Sequence, residues 1–259
     1  MAMMEIHSVS KSFGGVQALD NVTMSVEDKK ITGLIGPNGA GKTTLFNVIT
    51  NIEPVDSGKV TFDGRDLTNI KPYHFAKLGI LRTFQRSMPF GEMTLSENVV
   101  MGGIAVSEIG KLGGFWRTKK AKNILEKDKQ KAMDLLKVVG LFERKDMLAN
   151  NIAYGEQRLL EIARALACNP EILLLDEPVA GMNPEESLEM AKLIQRISQD
   201  GLTIFLIEHN LDVVMNLCDE VYVINYGKII ANGKPKEIQQ NEQVIEAYLG
   251  KKGVWRAAG

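Results

Sequence analysis

The sequence predicts an α/β fold with a mostly parallel sheet and helices on both of its faces. Two observations indicate this class. Short apolar strands alternate with helical segments along the second half of the chain, and that alternation is typical of parallel sheets. In addition, the chain has 259 residues with 44% hydrophobic side chains, which suits one large α/β domain with a full core.

The individual elements follow from periodicity and turn signals. In the first half we expect strands at residues 4–9, 22–26, 31–35 and 60–62, then helices from about 88 to 152 with a Gly-rich break at 110–114. In the second half we expect strands at 172–175, 203–207, 221–224 and 228–231, with helices at 184–198 and 210–217. Tyr226-Gly227 predicts a hairpin between the last two strands.

Composition excludes some classes of function. The net charge of −1 argues against nucleic acid as the main partner, because such proteins usually carry a strongly basic face. Cys168 and Cys218 are too few for a disulfide framework and favour a reducing compartment. We expect no signal peptide, because the N-terminus lacks its apolar run, and no apolar stretch is long enough to cross a bilayer, so any membrane role is expected to come through a partner. The Lys-rich run from Arg117 to Lys131 is typical of a solvated helix face, although a membrane-facing or RNA-facing role stays open.

A phosphate-binding loop follows the strand at residues 31–35. The motif G-x-x-x-x-G-K-[ST] is complete, and it comprises Gly36, Pro37, Asn38, Gly39, Ala40, Gly41, Lys42 and Thr43, followed by Thr44. Its glycines allow backbone N–H groups to surround phosphate oxygens, and a helix starting near Gly41 directs its positive end at the same anion. We expect Lys42 to contact the β and γ phosphates and Thr43 to ligate Mg²⁺. The sequence therefore predicts a nucleoside triphosphate site.

Two acids follow the buried strand at residues 172–175. Asp176 can hold the Mg²⁺ shell, and Glu177, one residue later, can polarise an attacking water as a general base. Two acids at a strand end also occur in ordinary solvated turns. Because a phosphate-binding loop precedes them in this chain, the catalytic interpretation is favoured.

These motifs, in this order, resemble those of ABC ATPases over nearly the whole chain. Phe13 lies where that family has an aromatic residue that stacks on adenine, and Gln85 in RTFQR resembles its Q-loop glutamine, a metal ligand and catalytic residue. His209 in LIEHN resembles the switch histidine that contacts the γ-phosphate. The resemblance implies one cassette spanning residues 1–259: a P-loop NTPase (RecA-like) core, an N-terminal antiparallel β subdomain, and a helical subdomain inserted at approximately 88–165.

The family's signature loop, Leu-Ser-Gly-Gly-Gln, is altered in this chain. The corresponding residues are Ile152, Ala153, Tyr154, Gly155 and Glu156, with the register fixed by Arg164. In the family this loop contacts the γ-phosphate of ATP that is bound to the other subunit. Ala153 lacks the usual hydroxyl, and Tyr154 cannot adopt a glycine-only conformation without strain. We therefore expect the trans contact to use backbone N–H groups of the helix N-terminus.

Other details resemble the ATPases of branched-chain amino-acid importers. They are AYG in the signature loop, AGMNP after the paired acids, IEHNLDVVM and the C-terminal VIEAYLG. Within AGMNP, Asn183 replaces a common Asp; we expect it to cap the next helix, with Pro184 at the first helical position.

The resemblance implies partners as well as chemistry. It implies a second ABC ATPase subunit, transmembrane permeases, an extracytoplasmic binding protein that acts indirectly, and a place on the cytoplasmic face of the membrane. Met88, Phe90 and Met93 belong either to the core of the helical subdomain or to an apolar groove for a permease helix. ATPases for lipid or lipopolysaccharide export or for urea and amide uptake remain alternatives, and an ABC ATPase acting on ribosomes or DNA is a third class.

Overall fold

The computed structural model describes residues 2–83, 89–104, 106–107 and 119–249. These residues form two compact units, and the chain passes between them more than once. The first unit consists of Met1–Tyr73, Leu175–Glu177 and Gln195–Gly259, and the second of His74–Leu174 and Pro178–Ile194. Among the described residues, no helix combines the length and apolar character that crossing a bilayer requires.

The first unit contains a four-stranded antiparallel sheet at its N-terminal end. Its strands are β1 (Ala2–Phe13), β2 (Val16–Glu27), β4 (Ser57–Phe62) and β5 (Arg65–Asp66), in the order β2-β1-β4-β5. Val22, Met24 and Val26 are buried, as their alternation predicts. Strands β1 and β2 extend beyond the predicted 4–9 and 22–26, because register shifts along the pair interrupt the two-residue period.

The first unit also contains most of a larger sheet. Strand β3 (Ile31–Ile35) is buried along its whole length and runs parallel to β8 (Thr203–Ile207) and to β9 (Glu220–Asn225). Strand β10 (Lys228–Gly233) returns antiparallel to β9 through the predicted Tyr226-Gly227 turn. The helices of this unit are α1 (Lys42–Ile49), α6 (Leu211–Leu217), α7 (Pro235–Gln240) and α8 (Glu242–Leu249).

The second unit is mostly helical. A short parallel pair joins β6 (Ile80–Arg82) to β7 (Ile172–Asp176), with Ile80 opposite Ile172. Its helices are α2 (Leu95–Gly103), α3 (Lys119–Val138), α4 (Tyr154–Leu166) and α5 (Pro184–Gln199), the last of which ends in the first unit. Short 3₁₀ helices at Phe142–Arg144 and Ala149–Asn151 connect α3 to α4. The Gly-rich break expected at 110–114 lies outside the described residues, and the boundaries of the helical subdomain stay a prediction.

The prediction of an α/β fold is confirmed. The strands of the larger sheet are mostly parallel, and the antiparallel sheet is built from the N-terminal segment of the chain. In the first unit the core lies between β3, β8 and α1, where the rings of Phe46 and Phe205 have centroids 4.9 Å apart. This packing fixes the two ends of the phosphate-binding loop, because β3 ends at Ile35 and α1 begins at Lys42.

Candidate functional site: a nucleotide site at the β3–α1 loop

The loop between β3 and α1 has the backbone that an anion cradle requires. Gly39 and Gly41 have φ angles of 79° and 111°, in the region that favours glycine. A Cβ atom on Gly41 would lie 2.6 Å from the carbonyl oxygen of Ala18, so the loop passes too close to β2 for any side chain. Helix α1 begins directly afterwards at Lys42. Its first N–H groups have no intrahelical partner and are available to a phosphate.

The Lys42 side chain is folded back onto the loop that precedes it. Its Nζ donates to the carbonyl oxygens of Gly36, at 2.7 Å, and Pro37, at 3.0 Å. Burial lowers the pKa of Lys42, and the carboxylates of Glu177 and Asp176 act in the opposite direction. The predicted phosphate-binding lysine and the two predicted acids therefore interact electrostatically within one unit, although about 134 residues separate them along the chain.

The two acids differ in their surroundings at the end of β7. Asp176 is buried as the last residue of the strand, whereas the Glu177 carboxylate is partly exposed. Glu177 has a φ of 50°, which is uncommon for a residue with a side chain. Its N–H donates to the carbonyl oxygen of Ile207, at 2.9 Å, and this bond to β8 holds the strained conformation. The backbone thus fixes the Glu177 carboxylate at the mouth of the site.

His209, which the resemblance assigns to the γ-phosphate, lies beside Glu177. Its Nδ1 is 3.7 Å from a carboxylate oxygen of Glu177, and its side chain is 56% exposed, so that the ring remains accessible to a ligand. The sequence reasoning missed the residue that orients this segment. Glu208 is completely buried, and its carboxylate accepts from the N–H groups of His209, at 3.1 Å, and Asn210, at 3.3 Å. A carboxyl oxygen that accepts two backbone bonds at this bend holds the His209 backbone in place.

Phe13 and Thr43 complete the part of the predicted site that lies in the first unit. Phe13 ends β1 and is 43% exposed, which leaves its ring accessible for stacking. The Nζ of Lys11 lies 5.3 Å from the ring centroid. Thr43 follows Lys42 in α1 and is exposed, and with Asp176 it supplies oxygen ligands of the kind that Mg²⁺ prefers. Gln85, predicted as a further ligand, lies outside the described residues, as does Met88.

The altered signature loop lies in the second unit and forms a helix N-terminus. Ala153 is the N-cap of α4, and the N–H of Ala153 donates to the Glu156 carboxylate at 3.1 Å. Arg144 also binds that carboxylate, at 2.6 Å. A glycine-only conformation at Tyr154 is not required: Tyr154 is the first helical residue and is not among the non-glycine residues with positive φ. The alignment of this loop with the family's signature loop needs no glycine at residue 154, because the backbone there is already helical.

The tyrosine has a definite structural role in this loop. Arg158 is buried, its Nε donates to the Tyr154 hydroxyl at 3.1 Å, and its guanidinium lies 5.4 Å from the ring centroid. A Cβ atom on Gly181 would lie 3.2 Å from the same ring, so the tyrosine also packs against the segment before α5. The ring therefore fixes the start of α4, which is the part of the loop that the sequence assigned to phosphate contact.

Asn183 caps α5 as predicted. Its side-chain oxygen accepts from the N–H of Glu186 at 2.9 Å, and the Glu186 carboxylate accepts from the N–H of Asn183 at the same distance. This reciprocal pair is a capping box, and Pro184 occupies the first helical position. The capping function of the usual aspartate is thus retained by the amide.

Comparisons with known proteins agree with this geometry. The sequence profile of the family described as "ABC transporter" matches residues 19–180. The chain belongs to that family. A second profile, described as "Branched-chain amino acid ATP-binding cassette transporter", matches residues 228–253.

Individual relatives cover nearly the whole of this ABC transporter subunit. The Salmonella typhimurium protein named high-affinity branched-chain amino acid transport ATP-binding protein LivG is 40% identical over 249 residues, which are 96% of this chain and 98% of that one. Two crystal structures of a cassette from an ABC transporter, one nucleotide-free and one in an ADP conformation, each superpose with a TM-score of 0.83 at 36% identity. Each covers 97% of this chain and 100% of the other. The chain is thus an ATP-binding, ATP-hydrolysing subunit of an ABC transporter.

Proposed function

We propose that this subunit hydrolyses Mg·ATP to drive the uptake of branched-chain amino acids through partner permeases. The observation that carries the catalytic part is the convergence of Lys42, Asp176, Glu177 and His209 within one unit. The substrate class rests on relatives such as the Salmonella typhimurium LivG protein, whose name specifies branched-chain amino acids, and on the matching C-terminal profile.

The residues divide the chemistry among them. When a nucleotide binds, Lys42 exchanges its bonds to the Gly36 and Pro37 carbonyls for bonds to the β and γ phosphates. Glu177 accepts a proton from the attacking water, and His209 donates to the γ-phosphate. Asp176, Thr43 and Gln85 would hold Mg²⁺, and the bound ion would supply positive charge against the phosphates.

The proposed assembly is a dimer of ABC ATPases attached to two permease regions. The N-terminus of α4 in one subunit closes over the γ-phosphate bound by the other subunit, so that two ATP molecules are shared. The chain is placed on the cytoplasmic face of the cell membrane, and an extracytoplasmic solute-binding protein acts through the permeases. Whether the second ATPase is identical or a paralogue does not change the chemistry.

A pair of variants tests the proposed backbone contact of the signature loop. We expect Ala153→Ser to change ATP turnover by less than about tenfold, because one neutral hydrogen bond contributes ~0.5–1.5 kcal/mol. Gly155→Val should reduce turnover much more, because a Cβ atom there already lies 3.1 Å from a Glu186 carboxylate oxygen and the added methyl groups obstruct the helix N-terminus. Steady-state ATPase rates measure both effects. Equal damage from the two variants would show that the loop has been misplaced.

An exposed apolar surface in the second unit supports the proposed permease contact. Phe90, Met147 and Leu148 are each between 38% and 44% exposed. Backbone bonds hold this surface together, because the N–H of Leu95 donates to Met147 and the N–H of Ala149 donates to Met93. Sequence reasoning identified Phe90 and Met93 but missed Met147 and Leu148. A surface of this kind suits the apolar side of a short helix from a permease.

Two further residues hold Phe90 in this surface, one through its backbone and one through its ring. The buried Asn98 accepts from the N–H of Phe90 at 2.8 Å and donates to its carbonyl oxygen at 3.0 Å. The Arg164 guanidinium lies 4.8 Å from the centroid of the Phe90 ring. Phe90 is therefore an ordered, half-exposed aromatic side chain, which is typical of residues that anchor an interface.

Replacing this ring by a charge should uncouple hydrolysis from transport. We expect Phe90→Glu to leave the ATPase activity of the isolated subunit unchanged. Uptake by the complete transporter should fall at least about tenfold, which corresponds to a loss of ~1.4 kcal/mol in the binding free energy between this subunit and the permease. Uptake of leucine, isoleucine and valine into proteoliposomes is the measurement. Ile52→Glu, at a side chain with the same 44% exposure in the first unit, is the matched control.

The same assay separates the two parts of the proposal. Normal uptake by the Phe90→Glu transporter would refute the proposed docking surface. The proposals about ATP hydrolysis and about the substrate would be unaffected. If none of the three branched-chain amino acids stimulates ATP hydrolysis by the complete complex, the substrate assignment fails. Uptake of urea or an amide instead would favour that alternative.

A further inference from the structure

Glu156 places a negative charge at the start of α4. The corresponding residue of the family's signature loop is a neutral glutamine. The Glu156 side chain is 22% exposed, and its carboxylate accepts from the N–H of Ala153 at 3.1 Å, so it is held beside the helix N-terminus. A carboxylate stabilises a helix N-terminus, but it also repels any other anion that approaches the same N–H groups. The glutamate therefore opposes the phosphate contact proposed for this loop.

A second carboxylate lies next to the same helix N-terminus. A Cβ atom on Gly155 would lie 3.1 Å from the Oε1 of Glu186, the residue whose carboxylate accepts from the N–H of Asn183 at the start of α5. Both carboxylates belong to the same unit as α4. A phosphate that approaches this end of α4 therefore meets two negative charges together with the favourable N–H groups.

Arg144 supplies an opposing positive charge. Its Nη1 donates to the Glu156 carboxylate at 2.6 Å, on the same oxygen that accepts the Ala153 N–H. The arginine ends the short 3₁₀ helix Phe142–Arg144, and the N–H of Met147 donates to its carbonyl oxygen at 2.9 Å, so its backbone is ordered. A guanidinium stays protonated throughout the pH range in which proteins are folded. The pair therefore makes the acidic residue of the signature loop locally neutral.

We propose that Arg144 is a positioning residue for the shared ATP: it binds and neutralises Glu156, so that the N-terminus of α4 can receive the γ-phosphate held by the other subunit. The proposal rests on the function proposed above, and it names the residue that lets an acidic signature loop accept an anion. Because Arg144 acts through Glu156, it is needed only while residue 156 is acidic. ATP binding by the isolated subunit uses the phosphate-binding loop of the first unit and should not depend on Arg144.

The test is a double-mutant cycle in the complete transporter, with the variants Arg144→Gln, Glu156→Gln and the two combined. We expect Arg144→Gln to lower kcat for ATP hydrolysis about tenfold, because it leaves a like charge facing the phosphate. Glu156→Gln alone and the combined variant lack that charge, so each should have a kcat within about threefold of the parent. Lys145→Gln is the matched control, since it removes the neighbouring cation, which pairs with Asp146 at 3.1 Å, and it should hydrolyse ATP at the parent rate.

Recovery in the combined variant distinguishes an electrostatic role from a structural one, because a structural defect at residue 144 would persist when Glu156 is also replaced. Parent-rate hydrolysis by Arg144→Gln, equal damage in Lys145→Gln, or no recovery in the combined variant would overturn the proposal. So would a rise of more than about twofold in the Kd of the isolated Arg144→Gln subunit for a fluorescent ATP analogue. Failure of the parent transporter to hydrolyse ATP would instead refute the proposed function.

Discussion

Glu177→Gln is expected to retain ATP binding and to reduce ATP hydrolysis by at least about a hundredfold, the scale of losing a general base. The substitution keeps the size and the hydrogen-bonding shape of the side chain but removes the acceptor that takes the proton from water. The strained backbone at residue 177 is held by the bond to Ile207 and does not depend on the carboxylate. Purified protein should therefore bind a fluorescent ATP analogue normally with Mg²⁺ present while turnover is lost.

Trapping ATP in this variant also reports on assembly. Because hydrolysis no longer separates the subunits, light scattering should show a monomer without nucleotide and a dimer with saturating ATP. Glu5→Gln, which removes a carboxylate of β1 in the same unit, is the control and should hydrolyse ATP at the parent rate. Parent-rate hydrolysis by Glu177→Gln would exclude Glu177 as the base. A persistent monomer would indicate that the second ATPase is a different chain.

Among substitutions of a loop glycine by alanine, Gly36→Ala is expected to have the largest effect on stability and on ATP affinity. The new Cβ atom would lie 2.1 Å from the Ile224 carbonyl oxygen and 3.1 Å from the Ile224 Cγ2, and neither backbone can move without disturbing the pairing of Ile35 with Val223. Overpacking of this kind costs about 1–3 kcal/mol of folding free energy or more. Because the displaced residue carries the Lys42 acceptor, ATP affinity should also fall at least about tenfold.

Urea unfolding and equilibrium ATP binding measure the two effects of Gly36→Ala separately. Gly64→Ala is the matched control, since Gly64 has a φ of 73° and nothing within 4 Å of an added Cβ atom. We expect that control to lose about 1 kcal/mol from backbone strain alone and to bind ATP normally. If Gly36→Ala were as stable as the parent and bound ATP equally well, the close approach of β9 to the loop would not constrain the site.

Much of this protein follows from local sequence. The phosphate-binding loop was predictable because its glycines, its lysine and the helix after it act within a few residues of one another. The capping of α5 by Asn183 was predictable for the same reason, as was the Tyr226-Gly227 hairpin. The core strands could be found because an uninterrupted apolar run, as in residues 172–175 of β7, indicates burial on both faces of the strand. The roles of the signature loop and of Gln85 came only from family resemblance and stay predictions.

The tertiary structure alone decided which distant groups meet. No periodicity marks Glu208 as the buried acceptor behind His209, because a charged residue before a loop is usually exposed. Nothing near Gly36 in sequence indicates that the carbonyl oxygen of Ile224 excludes a side chain there. Such contacts arise when strands and helices pack. Their energies depend on the separation of atoms that lie far apart along the chain, and local sequence patterns do not encode that separation.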